Sequence, residues 1–381
     1  IDMSDNIARS IDDKKLTIGI FVDLSKAFDT LNHEILIDKL AHYGIRGVAQ
    51  KWFRSYLENR EQFVAINDNR SLGCKISTGV PQGSILGPIL FLLYINDIVN
   101  SSKFLRFILF ADDTNIFYSG SNTEELFRVI NQELAHVVRW FKVNRLSVNL
   151  KKTNFVIFGN TSKIKNLDKY KIFLDSTVIE RKTCAKFLGV IVDDKLTWNN
   201  HIECIEKKIS KNIGIIRKVQ SVFPISVLNT LYCSLILPYL TYCNVIWSNN
   251  RITRLYRLNI LQKRAIRVVN KCGYIAHTQP LFAKSRQLTL IDLNKLCTAA
   301  IMYRFHNNDL PDQFQNYFVL NSSIHEHLTR SHNRLHIPYA RTVTLSCQLR
   351  IAGPKLWNGI DPTILVISQH IRKFKQVFKN H

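Results

Sequence analysis

Two aspartates stand side by side inside an apolar, β-rich run: Phe107-Ile108-Leu109-Phe110-Ala111-Asp112-Asp113-Thr114-Asn115-Ile116. Such a run folds as two strands, and the acidic pair belongs where they join, because a buried, unpaired carboxylate is too costly to leave in a strand's middle. A surface turn accounts for the pair on its own, since Asp is a good turn former. A bound divalent cation accounts for it too, by cancelling clustered negative charge with hard oxygen ligation. A third carboxylate favours the cation. Asp23 closes the apolar run Leu16 to Leu24 (LTIGIFVDL), where a strand would deliver it to a site, although a lone Asp there reads equally as a helix cap.

The surrounding pattern alternates strand and helix signals. His33 to Tyr43 and Val48 to Leu57 read as helices separated at Gly44 and Gly47, Phe63 to Asn67 as a short strand, and Ser84 to Val99 as an apolar helix. Phe104 to Ser119 reads as two strands meeting at the acidic pair. Leu126, Val129, Ile130, Leu134, Val137, Val138 and Phe141 recur at helical spacing, and Asn154 to Phe158 returns to strand. The expected class is α+β, an antiparallel sheet layered by helices on one face. Near residue 195 the pattern turns helical: Leu196 to Val222, Ile225 to Leu237 ended by Pro238, and Ile252 to Val269. The expected division is 1–194, a helical region 195–275, and a basic region 276–381 of unclear fold.

Charge separates the halves further. The formal net charge is +23, of which residues 195–381 carry 26 Lys and Arg against only 7 Asp and Glu. So one-sided an excess makes a positive surface that attracts a polyanion, and nucleic acid fits better than a membrane because no basic amphipathic anchor or lipidation motif is evident. Lys207 and Lys211 on the first of these helices, and Arg257, Arg264 and Lys271 at sevenfold spacing, would line up along phosphates, although a merely solvated face explains any single helix as well. No apolar run is long enough to span a bilayer. The eight cysteines show no Cys-x-x-Cys pair, which points to buried thiols in a reducing compartment. His325, Glu326, His327, His332 and His336 cluster without the spacing of a familiar metal site.

Thr78-Gly79-Val80-Pro81-Gln82-Gly83-Ser84-Ile85-Leu86-Gly87-Pro88 makes a tight loop before a helix, where backbone can approach a flat base or sugar. Its place between the two acidic segments makes the three diagnostic together. Asp23 to Phe28 (Asp-x-x-x-x-Phe), Pro81-Gln82-Gly83 and Phe110-Ala111-Asp112-Asp113 resemble, in order, the first three palm motifs of reverse transcriptases. Leu146 to Thr153 and Phe187-Leu188-Gly189-Val190 follow in the family's order, and the run from Phe187 to Trp198 looks most like non-LTR retrotransposons of the jockey type. The likeness covers residues 15–200 well and is far less specific beyond them.

That resemblance implies an RNA-directed DNA polymerase with a right-hand palm followed by a basic, helical thumb. It implies two Mg²⁺ ions (Mn²⁺ able to substitute), roughly 3.5–4 Å apart, held by Asp23, Asp112 and Asp113. It implies Phe28 as a steric gate against a 2′-OH, Gln82 and Gly83 lining the template and nucleotide pocket, and Phe187, Leu188 and Gly189 as a primer grip. Lys152 would protonate the departing pyrophosphate, with Lys151 an equal candidate on spacing. The implied partners are an RNA template, a DNA primer or target and dNTPs, in a ribonucleoprotein with the element's RNA. The implied location is intracellular, the nucleus for target-primed synthesis or the cytoplasm. The family's fingers region precedes the first palm motif, yet Asp23 lies only 22 residues from the first residue. The rival expectation is therefore a silent remnant or a nucleic-acid-binding protein that keeps the palm fold.

Overall fold

The computed structural model describes residues 1–165, 167–249, 252–324, 331–361, 363 and 370–380. They form two units, one of residues 14–185 and one joining residues 1–13 to residues 186–381. After helix α1 (Asp2–Asp12), which belongs to the second unit, the chain enters the first with β1 (Leu16–Val22). Next come α2 (His33–His42), α3 (Gly47–Leu57) and α4 (Leu86–Ile95), then β2 (Arg106–Phe110), β3 (Asp113–Gly120), α5 (Thr123–Val143), β4 (Asn154–Phe158) and β5 (Glu180–Lys182).

The class is mixed α+β. The five strands form one sheet in the order β5-β4-β1-β3-β2, antiparallel except where β5 pairs with β4. β1 sits at its centre with all seven positions buried, which is why its sequence is a continuous apolar run and not an alternating one. Leu16, Ile18, Ile20 and Val22 share a core with Leu36 and Leu40 of α2, Phe91 and Tyr94 of α4, and Leu126, Ile130, Leu134 and Val137 of α5. Helix α5 takes its inward face from the spacing seen in the sequence and its start from Asn122, whose side chain accepts the backbone N–H groups of Glu124 and Glu125. The span expected as one strand at Phe63 to Asn67 is instead two short ribbons. Arg60–Gln62 pairs with Cys74–Ile76, and Ala65–Ile66 with Asn69–Arg70.

The second unit opens with the hairpin strands β6 (Cys184–Phe187, its first residues still in the first unit) and β7 (Val190–Asp193). Helices follow: α6 (Asn199–Val219), α7 (Ile225–Leu235), α8 (Leu237–Thr241), α9 (Ile252–Val269), α10 (Leu290–His306), α11 (Leu349–Trp357) and α12 (Ile371–Asn380). Ile202, Ile205, Ile209, Ile213 and Ile216 form the buried face of α6, as their spacing requires. Pro238 does not simply end a helix. It starts the next, at a position whose N–H has no helical partner in any case. Met302, Tyr317, Phe318 and Leu349 share a core with Val245 and with Ile1, so residues 276–381 pack together with what precedes them, and Phe374 of α12 stacks on Tyr303 with ring centroids 4.4 Å apart. Helix α1 is tied to this region by Asp12, whose carboxylate accepts the Thr342 N–H and hydroxyl, both at 2.7 Å. All eight cysteines are free thiols, Cys74 exposed and the others partly buried. Among the described residues no helix is long and apolar enough to cross a membrane.

Candidate functional site

The sheet register brings the acidic residues to one end of the first unit. Val22 of β1 pairs with Thr114 of β3, so continuing the ladder by one residue sets Asp23 opposite Asp113. Phe110 pairs with Asp113, leaving Ala111 and Asp112 as a two-residue turn. Ala111 takes a left-handed backbone (φ 50°), which costs a non-glycine residue about 1 kcal/mol. Such strain persists where surrounding structure enforces it, here the pairing of β2 with β3. Asp112 and Asp113 are exposed, as the desolvation argument demanded, while the next residues, Thr114, Asn115 and Ile116, are buried.

A second strip of chain fixes Asp23. Its N–H donates to Thr153 Oγ1 (3.2 Å) and its carbonyl accepts the Asn149 N–H (2.8 Å), while Ser25 N–H donates to Ser147 O (2.8 Å). These bonds bring the Leu146 to Thr153 segment beside the strand end. Lys152 Nζ lies 3.8 Å from Asp23 Oδ2. Lys151 has no such neighbour among the described residues and is exposed.

The loop Thr78–Gly83 is clamped to the same segment further along. Val80 N–H donates to Phe28 O (2.9 Å), Gly79 N–H to Leu31 O (2.7 Å), and Gln82 Nε2 to Asp29 Oδ1 (2.7 Å). His33 Nε2 bonds Gly79 O at 2.7 Å, which requires the proton on that nitrogen because a carbonyl only accepts. His33 therefore holds the loop. Gly79 has φ +86°, and a Cβ there would sit 2.7 Å from the Asp29 carbonyl oxygen, so this position admits glycine alone. The Phe28 ring packs against Phe91, centroids 4.7 Å apart, and is half-buried. Gly83 is exposed. Asp23, Phe28, Gln82, Asp112, Asp113 and Lys152 thus occupy one end of one unit. Asp29 and His33, which sequence reasoning did not assign to the site, join its two loops.

Hard carboxylate oxygens at adjacent strand ends fit a divalent cation, and the Lys152 ammonium beside Asp23 marks a place where positive charge settles. Among the described residues, however, no three His, Cys, Asp or Glu side chains are gathered closely enough to hold a metal ion. Three like charges repel, and it takes a cation to draw them together. His325, Glu326 and His327 lie outside the described residues. His336 Nδ1 is engaged with Asn321 Oδ1 at 3.2 Å.

The remaining sequence candidates lie in the second unit. Leu188 (φ 45°) and Gly189 (φ 82°) form a two-residue hairpin turn after Phe187, with two positive φ values as a type I′ turn requires. Tyr242 Oη donates to Leu188 O at 2.6 Å. Beside the turn lies a cavity of about 510 Å³ lined by Gly189, His201, Cys204, Lys208, Tyr239 and Tyr242. Burial first, and Lys208 second, push the His201 imidazole down to about 4. Its Nδ1 accepts the Ile191 N–H at 3.3 Å.

Lys207 and Lys211 are exposed on α6, but the three cations expected along α9 do not form a line. Arg257 is paired with Glu206 (3.6 Å), and Arg264 is half-buried, its Nε without a partner among the described residues. The helix ends at Val269, so Lys271 lies beyond it at φ 56°. Sevenfold spacing aligns residues only while the helix lasts, and the neighbouring helix decides which of them reaches solvent.

Residues 3–192 match the family described as reverse transcriptase (RNA-dependent DNA polymerase), and over that span the chain belongs to it. Its relatives are polymerases of non-LTR retrotransposons, as the motifs implied. The chain is 26% identical over 288 residues to the probable RNA-directed DNA polymerase from transposon BS of Drosophila melanogaster, covering 71% of this chain and 31% of that protein. It is 24% identical over 352 residues to the RNA-directed DNA polymerase from mobile element jockey of the same species, covering 86% and 36%. The chain thus spans about a third of the length of these relatives. A telomerase from Candida albicans, in complex with a fragment of telomeric RNA, aligns over 76% of this chain and 54% of its own at 14% identity and a TM-score of 0.39, too loosely to carry an argument.

Proposed function

We propose that this chain is the nucleotidyl-transfer core of a non-LTR retrotransposon polymerase, copying RNA into DNA by extending a primer 3′ end. The register that ends with Val22 opposite Thr114 and Phe110 opposite Asp113, bringing Asp23 and the acidic turn to one end of the sheet, supports this reading. In it the sheet and helices of residues 14–185 are the palm, and the helices from residue 195 to 275 are the thumb.

Asp23, Asp112 and Asp113 would hold two Mg²⁺, or Mn²⁺, ions. Bound there, the ions would lower the cost of deprotonating the primer hydroxyl and of the charge that develops on the departing phosphate oxygens. Phe28, stiffened by Phe91, would set the floor under the incoming sugar, where one extra hydroxyl meets a rigid ring. Gln82, held by Asp29, and Gly83 would face the template and nucleotide. Lys152 is favoured over Lys151 as proton donor to the leaving pyrophosphate because it already lies beside Asp23. Phe187, Leu188 and Gly189 would press the primer end into place. RNA template, DNA primer and dNTPs are the substrates and partners, in a ribonucleoprotein working in the nucleus at target-primed synthesis.

Primer extension on an RNA template with Mg²⁺ tests this. Wild type should incorporate dNTPs and Asp112→Asn should lose at least a hundredfold; equal incorporation by the two would sink the assignment. The ungathered carboxylates favour one second reading, a protein that binds nucleic acid without chemistry. Oligonucleotide binding by wild type with no Mg²⁺-dependent incorporation would support that reading.

A further inference from the structure

Helix α3 and the ribbons after it carry an aromatic and cationic surface that the polymerase reading leaves unused. Trp52 and Tyr56, one helical turn apart, stack with centroids 5.7 Å apart and planes 12° from parallel. The Arg60 guanidinium lies 5.3 Å from the Tyr56 ring centre, and that of Arg70 lies 5.2 Å from the Phe63 ring centre. Trp52 is 54% exposed and Phe63 53%, and every position from 58 to 75 is exposed. Large rings held half in water, with guanidinium groups over their neighbours, are an expensive surface for a ribbon that packs on nothing of its own.

We propose that this surface binds unpaired nucleotides of a single-stranded nucleic acid, with a base stacked on Trp52 and the adjoining phosphates on Arg60 and Arg70. Two features choose this occupant. The patch alternates π faces with positive charge, as a single strand alternates bases with phosphates, and base–aromatic stacking needs no particular sequence. The charge balance is also complementary: residues 46–77 hold six Lys and Arg against three Asp and Glu. A duplex hides its base faces and gains nothing from Trp52, so the preference is for single strands. The proposal stands apart from polymerase chemistry, because binding is read directly.

The test is titration of the full chain with a single-stranded uridine 12-mer and with a 12-base-pair duplex, following tryptophan fluorescence and affinity. Of the five tryptophans, Trp198 and Trp247 are buried, Trp140 and Trp357 half-buried and Trp52 alone exposed, so the quench by a base on this surface is the part lost in Trp52→Ala. The single strand should quench and the duplex should not. Trp52→Ala should weaken single-strand binding at least fivefold, whereas Trp52→Phe, which keeps a ring, should recover most of the affinity. Replacing Arg60 and Arg70 together by Ala should flatten the salt dependence. Single-strand affinity in Trp52→Ala within twofold of wild type overturns the proposal, as does equal quenching by the duplex. Trp52→Ala that leaves oligonucleotide affinity intact but abolishes self-association of the chain would show a protein interface instead, and would also overturn it.

Discussion

At the scale of single residues, the candidate site depends on small clamps around the named motifs. Asp29 is the clearest: its carboxylate accepts Gln82 Nε2 and its carbonyl accepts the Thr78 hydroxyl at 3.1 Å. Asp29→Ala should free Gln82, worth about 1 kcal/mol of loop order for a solvent-exposed hydrogen bond. In primer extension the KM for dNTP should rise severalfold with a smaller change in kcat. Asp29→Asn keeps an oxygen acceptor and should restore wild-type behaviour. No rise in KM, or no rescue by Asn, would remove Asp29 from the positioning role. The sequence displayed Gln82 and Asp29 plainly, but nothing in their spacing of 53 residues paired them.

At the scale of elements, the second unit holds a pH-sensitive joint. His201, in the first turn of α6, is 5% exposed and accepts the Ile191 N–H of β7. Its imidazole is held down at about 4 against an ordinary 6.5, chiefly by burial, so the folded state resists a proton that the unfolded chain takes up. The stability contributed by neutral His201 is fully present above pH 6.5. It is lost as pH falls through 4, by at most about 3 kcal/mol. Thermal melting of wild type should therefore drop between pH 6.5 and 4, and His201→Asn should show a flatter profile over that window. Parallel profiles would mean that His201 does not set the acid limit. The helix itself was legible from its isoleucine spacing, but the buried histidine was not, because burial belongs to the packing of α6 against β7.

At the scale of the molecule, charge and fold must be considered together. The excess of Lys and Arg after residue 194 predicts nucleic-acid binding that weakens steeply with salt. The structure refines which cations contribute. Replacing exposed Lys207 and Lys211 by Ala should reduce the slope of log affinity against log salt by about 0.7 for every single-strand phosphate that these lysines neutralise. Arg264→Ala, at a half-buried side chain, should leave the slope unchanged. The opposite pattern, with Arg264 altering the slope and the lysines silent, would contradict the helix faces described above.

The sequence by itself determined the reverse transcriptase family, the mixed α+β class and the strand that carries Asp23, because apolar period and motif order are local properties. It also placed the strand junction at Asp112 and Asp113, which the structure moves one residue back to Ala111 and Asp112, with Asp113 opening the next strand opposite Phe110. Only the tertiary structure decided what requires two distant segments to meet. The ladder that ends with Val22 opposite Thr114 brings Asp23 to the same sheet end as Asp113, 90 residues on, and the Asp29 clamp fixes the loop of Gln82. Helix α1 joins the C-terminal unit through Asp12 and Thr342, whereas its position in the chain had assigned it to the residues before 195. The paired aspartates announce themselves in the sequence. The neighbours that would make them a working site are set by packing that no spacing along the chain encodes.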